Sequence, residues 1–189
     1  YSKLLVICLG VLAGSCGAFA LATARTGHRH PVVLMVHGGG WQRRSREDMA
    51  WIAEEVASRG FAVLNIDYRF APDYQYPAQL RDLQQALDWL RQYHEELSVD
   101  PQRIAGFGYS SGAHLASLLA TVNSSDHPDR APWNPDQQGL VAVVAGGLPA
   151  TVLLGYCVHS SESRGARRRQ HGWIILNSSP LEARAMLLR

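Results

Sequence analysis

The residue of this chain best placed to act as a nucleophile is Ser110, which sits in "GFGYSSGAH" between Gly108 and Gly112 in the pattern G-x-S-x-G. The pattern alone says little. With 17 glycines in 189 residues, some serine is flanked this way by chance with a probability of about 0.1. Position adds meaning: an apolar run precedes the motif and a helix-like segment follows it. A serine on such a sharp strand-to-helix turn is held strained above a sheet. The new helix also aims its free N–H groups and the positive end of its dipole at developing negative charge.

A second cluster lies upstream, "HGGGW" from His37 to Trp41. Consecutive glycines let the backbone turn its N–H groups into a cavity with no side chain in the way, which suits the oxyanion of a tetrahedral intermediate. A tight turn or a phosphate cradle is the competing reading. A P-loop needs Gly-Lys-Ser/Thr and a dinucleotide site needs G-x-G-x-x-G at a helix start, and neither is present.

Both motifs require elements to hold them, and the pattern from residue 31 onward alternates strand-like and helix-like segments, as an α/β fold with a mostly parallel sheet does. "PVVLMVH" (Pro31–His37) reads as a buried strand ending at the glycine cluster. Ser45 to Asp48 forms a plausible capping box, followed by a helix with Met49, Ile52, Ala53 and Val56 on one face and Gly60 as its stop. "FAVLNID" (Phe61–Asp67) is the next strand. Leu80, Leu83, Leu87 and Leu90 mark an amphipathic helix. "RIAGFG" reads as the strand before Ser110, although its glycines weaken that reading, and Leu115, Leu118, Leu119 and Val122 form the apolar stripe of the helix after it. "LVAVVAG" (Leu140–Gly146) is a fourth strand, reached through a turn-rich loop. Beyond Pro149 the pattern fades, and "SESRGARRRQHG" reads as a solvated basic surface. No internal repeat or second domain is evident.

Taken together, "HGGGW", "DYRFAPDYQYPAQLRDLQQALDWL" and "DPQRIAGFGYSSGAHLA" resemble, in order and spacing, the α/β-hydrolase carboxylesterases of the hormone-sensitive-lipase-like and bacterial acetyl-esterase type. The resemblance spans Pro31 to about Ala145. It implies Ser110 as nucleophile, and an oxyanion hole from Gly39 and Gly40, with Gly38 as neighbour, and from the N–H of Ser111. It implies a short-chain carboxylic ester as the small-molecule substrate, and neither cofactor nor metal. An amide-directed hydrolase of arylformamidase type, which uses a similar glycine loop, is the related alternative. Asp67, Tyr68 and Arg69 match a motif that shapes the wall beside the site, and His37 braces the glycine loop rather than moving protons.

The family's triad runs Ser, Asp or Glu, then His in chain order. After Ser110 no segment resembles the strand ends that carry the acid and the His, and "SSPLEARAMLLR" resembles the stretch that precedes the acid. Both partners are therefore expected beyond this chain. Strands before Pro31 are also expected to be missing, so the α/β-hydrolase domain (25–189) reads as incomplete at both ends. Of the histidines present, His114 falls inside the following helix, His127 lies in a loop with Asp126 and Asp129, and His159 and His171 lie in the least readable segment. Without a base a serine is a poor nucleophile, so an inactive truncated hydrolase or binding module is the reading from a different class.

Leu4 to Thr23 carries no charge and follows Lys3. With Ala22-Thr23-Ala24 as an A-x-A site, residues 1–24 read as a signal peptide and the protein as secreted or periplasmic. A membrane-anchoring helix is the alternative, and a buried strand or helix of the domain is the plainer one. A lipoprotein signal at Cys16 is disfavoured because the apolar run continues past it. Cys157 is the one cysteine after the leader, which excludes a disulfide framework or zinc spacing there. A net charge of +2 gives no argument for nucleic acid or an anionic membrane. Nothing in the sequence speaks to oligomeric state.

Overall fold

The computed structural model describes residues 4–12, 15–22, 29–122, 129, 131, 138–148 and 173–177. Its strands are β1 (Leu4–Leu12), β2 (Ser15–Ala22), β3 (His30–Val36), β4 (Ala62–Ile66), β5 (Val99–Tyr109), β6 (Ala142–Gly146) and β7 (Trp173–Asn177). Its helices are α1 (Ala50–Ser58), α2 (Ala78–Gln92) and α3 (Ser111–Val122), with a 3-10 turn at Arg46–Met49 before α1. The strands form one sheet in the order β1-β2-β4-β3-β5-β6-β7. β4, β3, β5 and β6 run parallel, while β2 joins β4, β1 joins β2 and β7 joins β6 antiparallel. This is the α/β-hydrolase architecture expected from the sequence, a mostly parallel sheet covered by helices.

Alternation along β3 sorts the core into two layers, because successive side chains of a strand point to opposite faces. Val32, Leu34 and Val36 pack with Leu64, with Leu80, Leu83, Leu87 and Leu90 of α2, and with Leu115 and Leu119 of α3. Val33 and Met35 pack with Val63 and with Met49, Ala53 and Ala57 of the α1 side. The four α2 leucines are fully buried, each contributing roughly 2 kcal/mol of transfer free energy. β3 is thus clamped between helices on both faces, and the glycine cluster begins just past its last residue.

Two expectations are corrected. Strands were expected to be missing before β3, but Leu4–Leu12 and Ser15–Ala22 form β1 and β2, with β2 paired to β4 from Gly17↔Ile66 to Leu21↔Ala62. An apolar run does not by itself distinguish strand from helix. Every residue of β4 is buried, and β2 supplies hydrogen-bond partners along its outer edge. Among the described residues no helix is long and apolar enough to cross a membrane. Second, the capping box does not form. Ser45 makes no side-chain cap; instead Asp67 Oδ1 accepts the Arg46 amide at 2.7 Å, so the carboxylate at the end of β4 caps the 3-10 turn. β7 lies in the region where the sequence pattern faded. The basic stretch 161–172 lies outside the described residues.

Candidate active site

β5 ends at Tyr109 and α3 begins at Ser111, so Ser110 alone makes the turn, at φ 53°. A non-glycine residue in this left-handed region is strained by about 1–2 kcal/mol. Hydrogen bonds on both sides hold it there: the Ser110 amide donates to Gly146 O at 2.7 Å, and Ser110 O accepts the His114 amide at 3.1 Å. The flanking glycines permit the approach. A Cβ on Gly108 would lie 2.4 Å from Gly112 C and O, and one on Gly112 would lie 2.1 Å from Val36 O and 2.5 Å from His37 O. α3 therefore starts directly against the backbone end of β3.

The glycine loop meets the same turn. A Cβ on Gly38 would lie 2.8 Å from Tyr109 O and 3.3 Å from Ser110 Cβ, so Gly38 touches the candidate nucleophile's own turn. Gly39 has φ +125°, a conformation suited to glycine, and its missing Cβ leaves room for Arg43 O. Gly40 and Trp41 also have positive φ. The loop is closed by Gln42 N donating to Gly39 O at 3.3 Å and anchored by Ala71 N donating to Trp41 O at 2.9 Å. Gly38 and Ser110 thus meet where the central strands β3 and β5 end, with Gly39 and Gly40 following Gly38 in the chain and Ser111 following Ser110. The first amides of α3, Ser111 among them, have no acceptor within the helix.

His37 is fully buried. Its Nδ1 donates to Gly38 O at 2.6 Å, and its ring stacks on Tyr68 with centroids 4.6 Å apart. Nε2 lies 3.4 Å from Asp67 Oδ1, too long and too poorly aligned for a good hydrogen bond. This geometry braces the loop and does not present the imidazole to Ser110. Burial alone would raise the Asp67 pKa, but contacts from His37, the Arg46 amide and the Arg46 guanidinium outweigh it and hold the carboxyl below its ordinary range. The Tyr68 hydroxyl donates to His37 O at 3.1 Å and lies 3.3 Å from Ser111 Oγ. Burial pushes this phenol up. Arg69 binds the fully buried Asp82 through its amide (2.8 Å), Nε (2.9 Å) and guanidinium (2.7 Å), which pins the loop after β4 to α2. Asp67, Tyr68 and Arg69 are thus tied to the 3-10 turn, to the His37 carbonyl and to α2 respectively.

His114 packs edge-on against Trp41 at 5.5 Å, one helical turn from Ser110. Burial holds its imidazole below the ordinary histidine range. It borders a largely apolar cavity of about 490 Å³ with Trp41, Ala71, Pro72, Tyr76 and Leu115. Asp129 accepts from the Tyr76 hydroxyl, and its carbonyl accepts from Arg81 and Gln84 at 3.1 and 3.0 Å, so it is engaged with α2 and its preceding loop. Asp126, His127, Cys157, His159 and His171 lie outside the described residues. No cluster of three potential metal ligands occurs among the described residues. Two contacts went unread in the sequence: the Tyr68–Ser111 approach and the Gly146 carbonyl on Ser110. Both join residues far apart in the chain, and only the strand register reveals them.

A sequence model of the BD-FAE family matches residues 20–184. Carboxylesterase NlhH of Mycobacterium tuberculosis is 38% identical over 93 residues, covering 49% of this chain and 29% of that protein. Among solved structures, a bacterial heroin esterase superposes with TM-score 0.56 at 33% identity, over 65% of this chain and 40% of its own. Esterase 2 of Thermogutta terrifontis, described as phosphorylated by paraoxon, superposes with TM-score 0.60 at 25% identity, over 75% and 56%. The chain spans less than a third of the length of the curated relative, and between 40% and 56% of the two solved chains. By the match over most of its length, the chain belongs to the BD-FAE family, and its α/β-hydrolase fold is similar to that of these esterases.

Proposed function

We propose that the protein is a serine hydrolase that cleaves short-chain carboxylic esters through an acyl-enzyme. The observation that carries this reading is Ser110 held in the left-handed region at the β5–α3 junction, with Gly38 of the glycine loop in contact with that turn. Ser110 Oγ attacks the ester carbonyl and forms a C–O bond, while its proton passes to a histidine held by an acid, both outside the described residues. The amides of Gly39, Gly40 and Ser111 receive the oxyanion. The carbonyl–alkoxy bond then breaks, and the alcohol leaves with the proton from the histidine. Water repeats the sequence on the acyl-serine and releases the acid. The resemblance to acetyl esterases supports the preference for short acyl groups.

The test is labelling of the full-length protein with a fluorophosphonate probe and mapping of the modified peptide, together with hydrolysis of short p-nitrophenyl esters. Modification at Ser110, lost in Ser110→Ala, is the expected result. A folded wild-type protein that neither labels nor hydrolyses would make it an inactive hydrolase or binding module. Faster turnover of N-formyl amides than of esters would move it to the amide-directed class. Export through residues 1–24 is tested separately by sequencing the N-terminus of secreted protein. A start near Arg25 supports a cleaved leader, and retention of β1 and β2 supports their place in the sheet.

A further inference from the structure

We propose that Tyr68 is a positioning residue that locks the two halves of the oxyanion hole together through a hydroxyl chain, Ser111 Oγ–H to Tyr68 Oη–H to the His37 carbonyl. This rests on the serine-hydrolase reading above for its effect on rate. The halves come from separate parts of the chain. Gly39 and Gly40 follow β3 and His37, whereas Ser111 opens α3. Tyr68 belongs to neither and reaches both: its hydroxyl lies 3.1 Å from His37 O and 3.3 Å from Ser111 Oγ.

The direction of the chain follows from donor counting. A phenol has one proton, and the His37 carbonyl can only accept, so Tyr68 donates there and Ser111 donates to Tyr68. Both Tyr68 (3% exposed) and Ser111 (1%) are shielded from water, so neither hydroxyl can substitute solvent for its partner, and a buried group left unpaired is costly. The phenol ring is held independently by its stack on His37 at 4.6 Å and its edge contact with Phe70 at 5.5 Å. The hydroxyl is thus presented from a fixed ring. The same His37 carbonyl lies 2.5 Å from where a Cβ on Gly112 would fall, so the two segments are in contact beside the hydroxyl chain. Such a lock acts on the transition state more than on the bound ester, because the donors bind most strongly to the charge that develops in the reaction.

The experiment compares the full-length wild type with Tyr68→Phe, Ser111→Ala and the double variant, with Ser110→Ala as the inactive control. Tyr68→Phe keeps the ring, its stacking and its volume. Expected for p-nitrophenyl acetate is a fall in kcat of about tenfold in Tyr68→Phe, with KM changed less than about twofold. Ser111→Ala falls several-fold, and the double variant is no worse than Tyr68→Phe, because both break one chain. Unchanged kcat in either folded variant, a loss expressed equally in KM, or multiplicative losses would overturn the proposal. If Tyr68→Phe does not fold, Ser111→Ala carries the same kinetic test. Amide hydrogen exchange separates this from failure of the enzyme reading. If the wild type is inactive, the lock still requires faster exchange at Gly39, Gly40 and Ser111 in Tyr68→Phe while α2 stays protected. Unchanged exchange at those amides refutes it.

Discussion

Replacing Gly112 by alanine tests the packing that creates the Ser110 turn. The added Cβ would sit 2.1 Å from Val36 O and 2.5 Å from His37 O, against an ordinary C···O approach of about 3.3 Å. Relief therefore requires a shift of about 1 Å, and the obstructing atoms are backbone at the end of a central strand, which cannot rotate away as a side chain would. Overpacking of this kind costs typically about 1–3 kcal/mol and occasionally more. The better helix propensity of alanine returns at most about 1 kcal/mol. Immovable backbone places the cost at the upper end, about 3 kcal/mol, so a net loss of about 2–3 kcal/mol follows, or roughly 4–12 °C in Tm for a chain of this size. Gly60→Ala is the internal control. Gly60 has φ +92° but open space around its Cβ position, so it carries only the left-handed strain of about 1–2 kcal/mol. Urea unfolding of both variants gives the comparison. Because a displacement of about 1 Å at a reacting group costs on the order of a hundredfold in rate, Gly112→Ala should also lose most of its fluorophosphonate labelling. If Gly112→Ala were no less stable than Gly60→Ala and still labelled at the wild-type rate, the close apposition of α3 and β3 would be wrong.

Other substitutions probe the remaining supports. Ser110→Gly relieves the strain at φ 53° and should raise stability by about 1 kcal/mol while abolishing labelling; a fall in Tm would contradict the strained turn. Asp82→Ala leaves Arg69 without its fully buried partner and should cost about 3 kcal/mol. Asp100→Ala breaks the partly exposed pair with Arg103 and should cost less than about 1 kcal/mol; equal losses in urea titrations would reverse that assignment. Asp67 has a lowered folded-state pKa, so its stabilisation is present above the ordinary aspartate pKa of about 3.9 and is lost as pH falls through the folded value. The stability gap between wild type and Asp67→Asn should therefore be full near neutrality and shrink below about pH 4. A gap that widened in acid would have the wrong sign.

Local chemistry was legible wherever it depended on neighbours in the chain. The period of Leu80, Leu83, Leu87 and Leu90 identified α2, and Gly108, Ser110 and Gly112 between an apolar run and a helix pattern identified the turn. Short apolar runs were less legible. Leu4–Thr23 reads first as a leader, with a membrane helix or a buried element as alternatives, and the strands seen there depend on β4 offering an unpaired edge more than 40 residues away. Ser45 and Asp48 had the spacing of a capping box, yet the cap came from Asp67, because a carboxylate delivered by the next strand competes directly for the Arg46 amide.

Residue types and spacing determined by themselves that this is an α/β chain with a serine on a strand-to-helix turn and a glycine loop ahead of it. Tertiary structure decided what those motifs do to one another. The parallel register of β3 and β5, with Val36 opposite Gly108, brings Gly38 against Ser110 and sets the Tyr68 hydroxyl between His37 and Ser111. Hydrogen bonds and backbone clashes act over a few ångströms, and no sequence separation of 30 or 40 residues specifies such a distance until the sheet has formed.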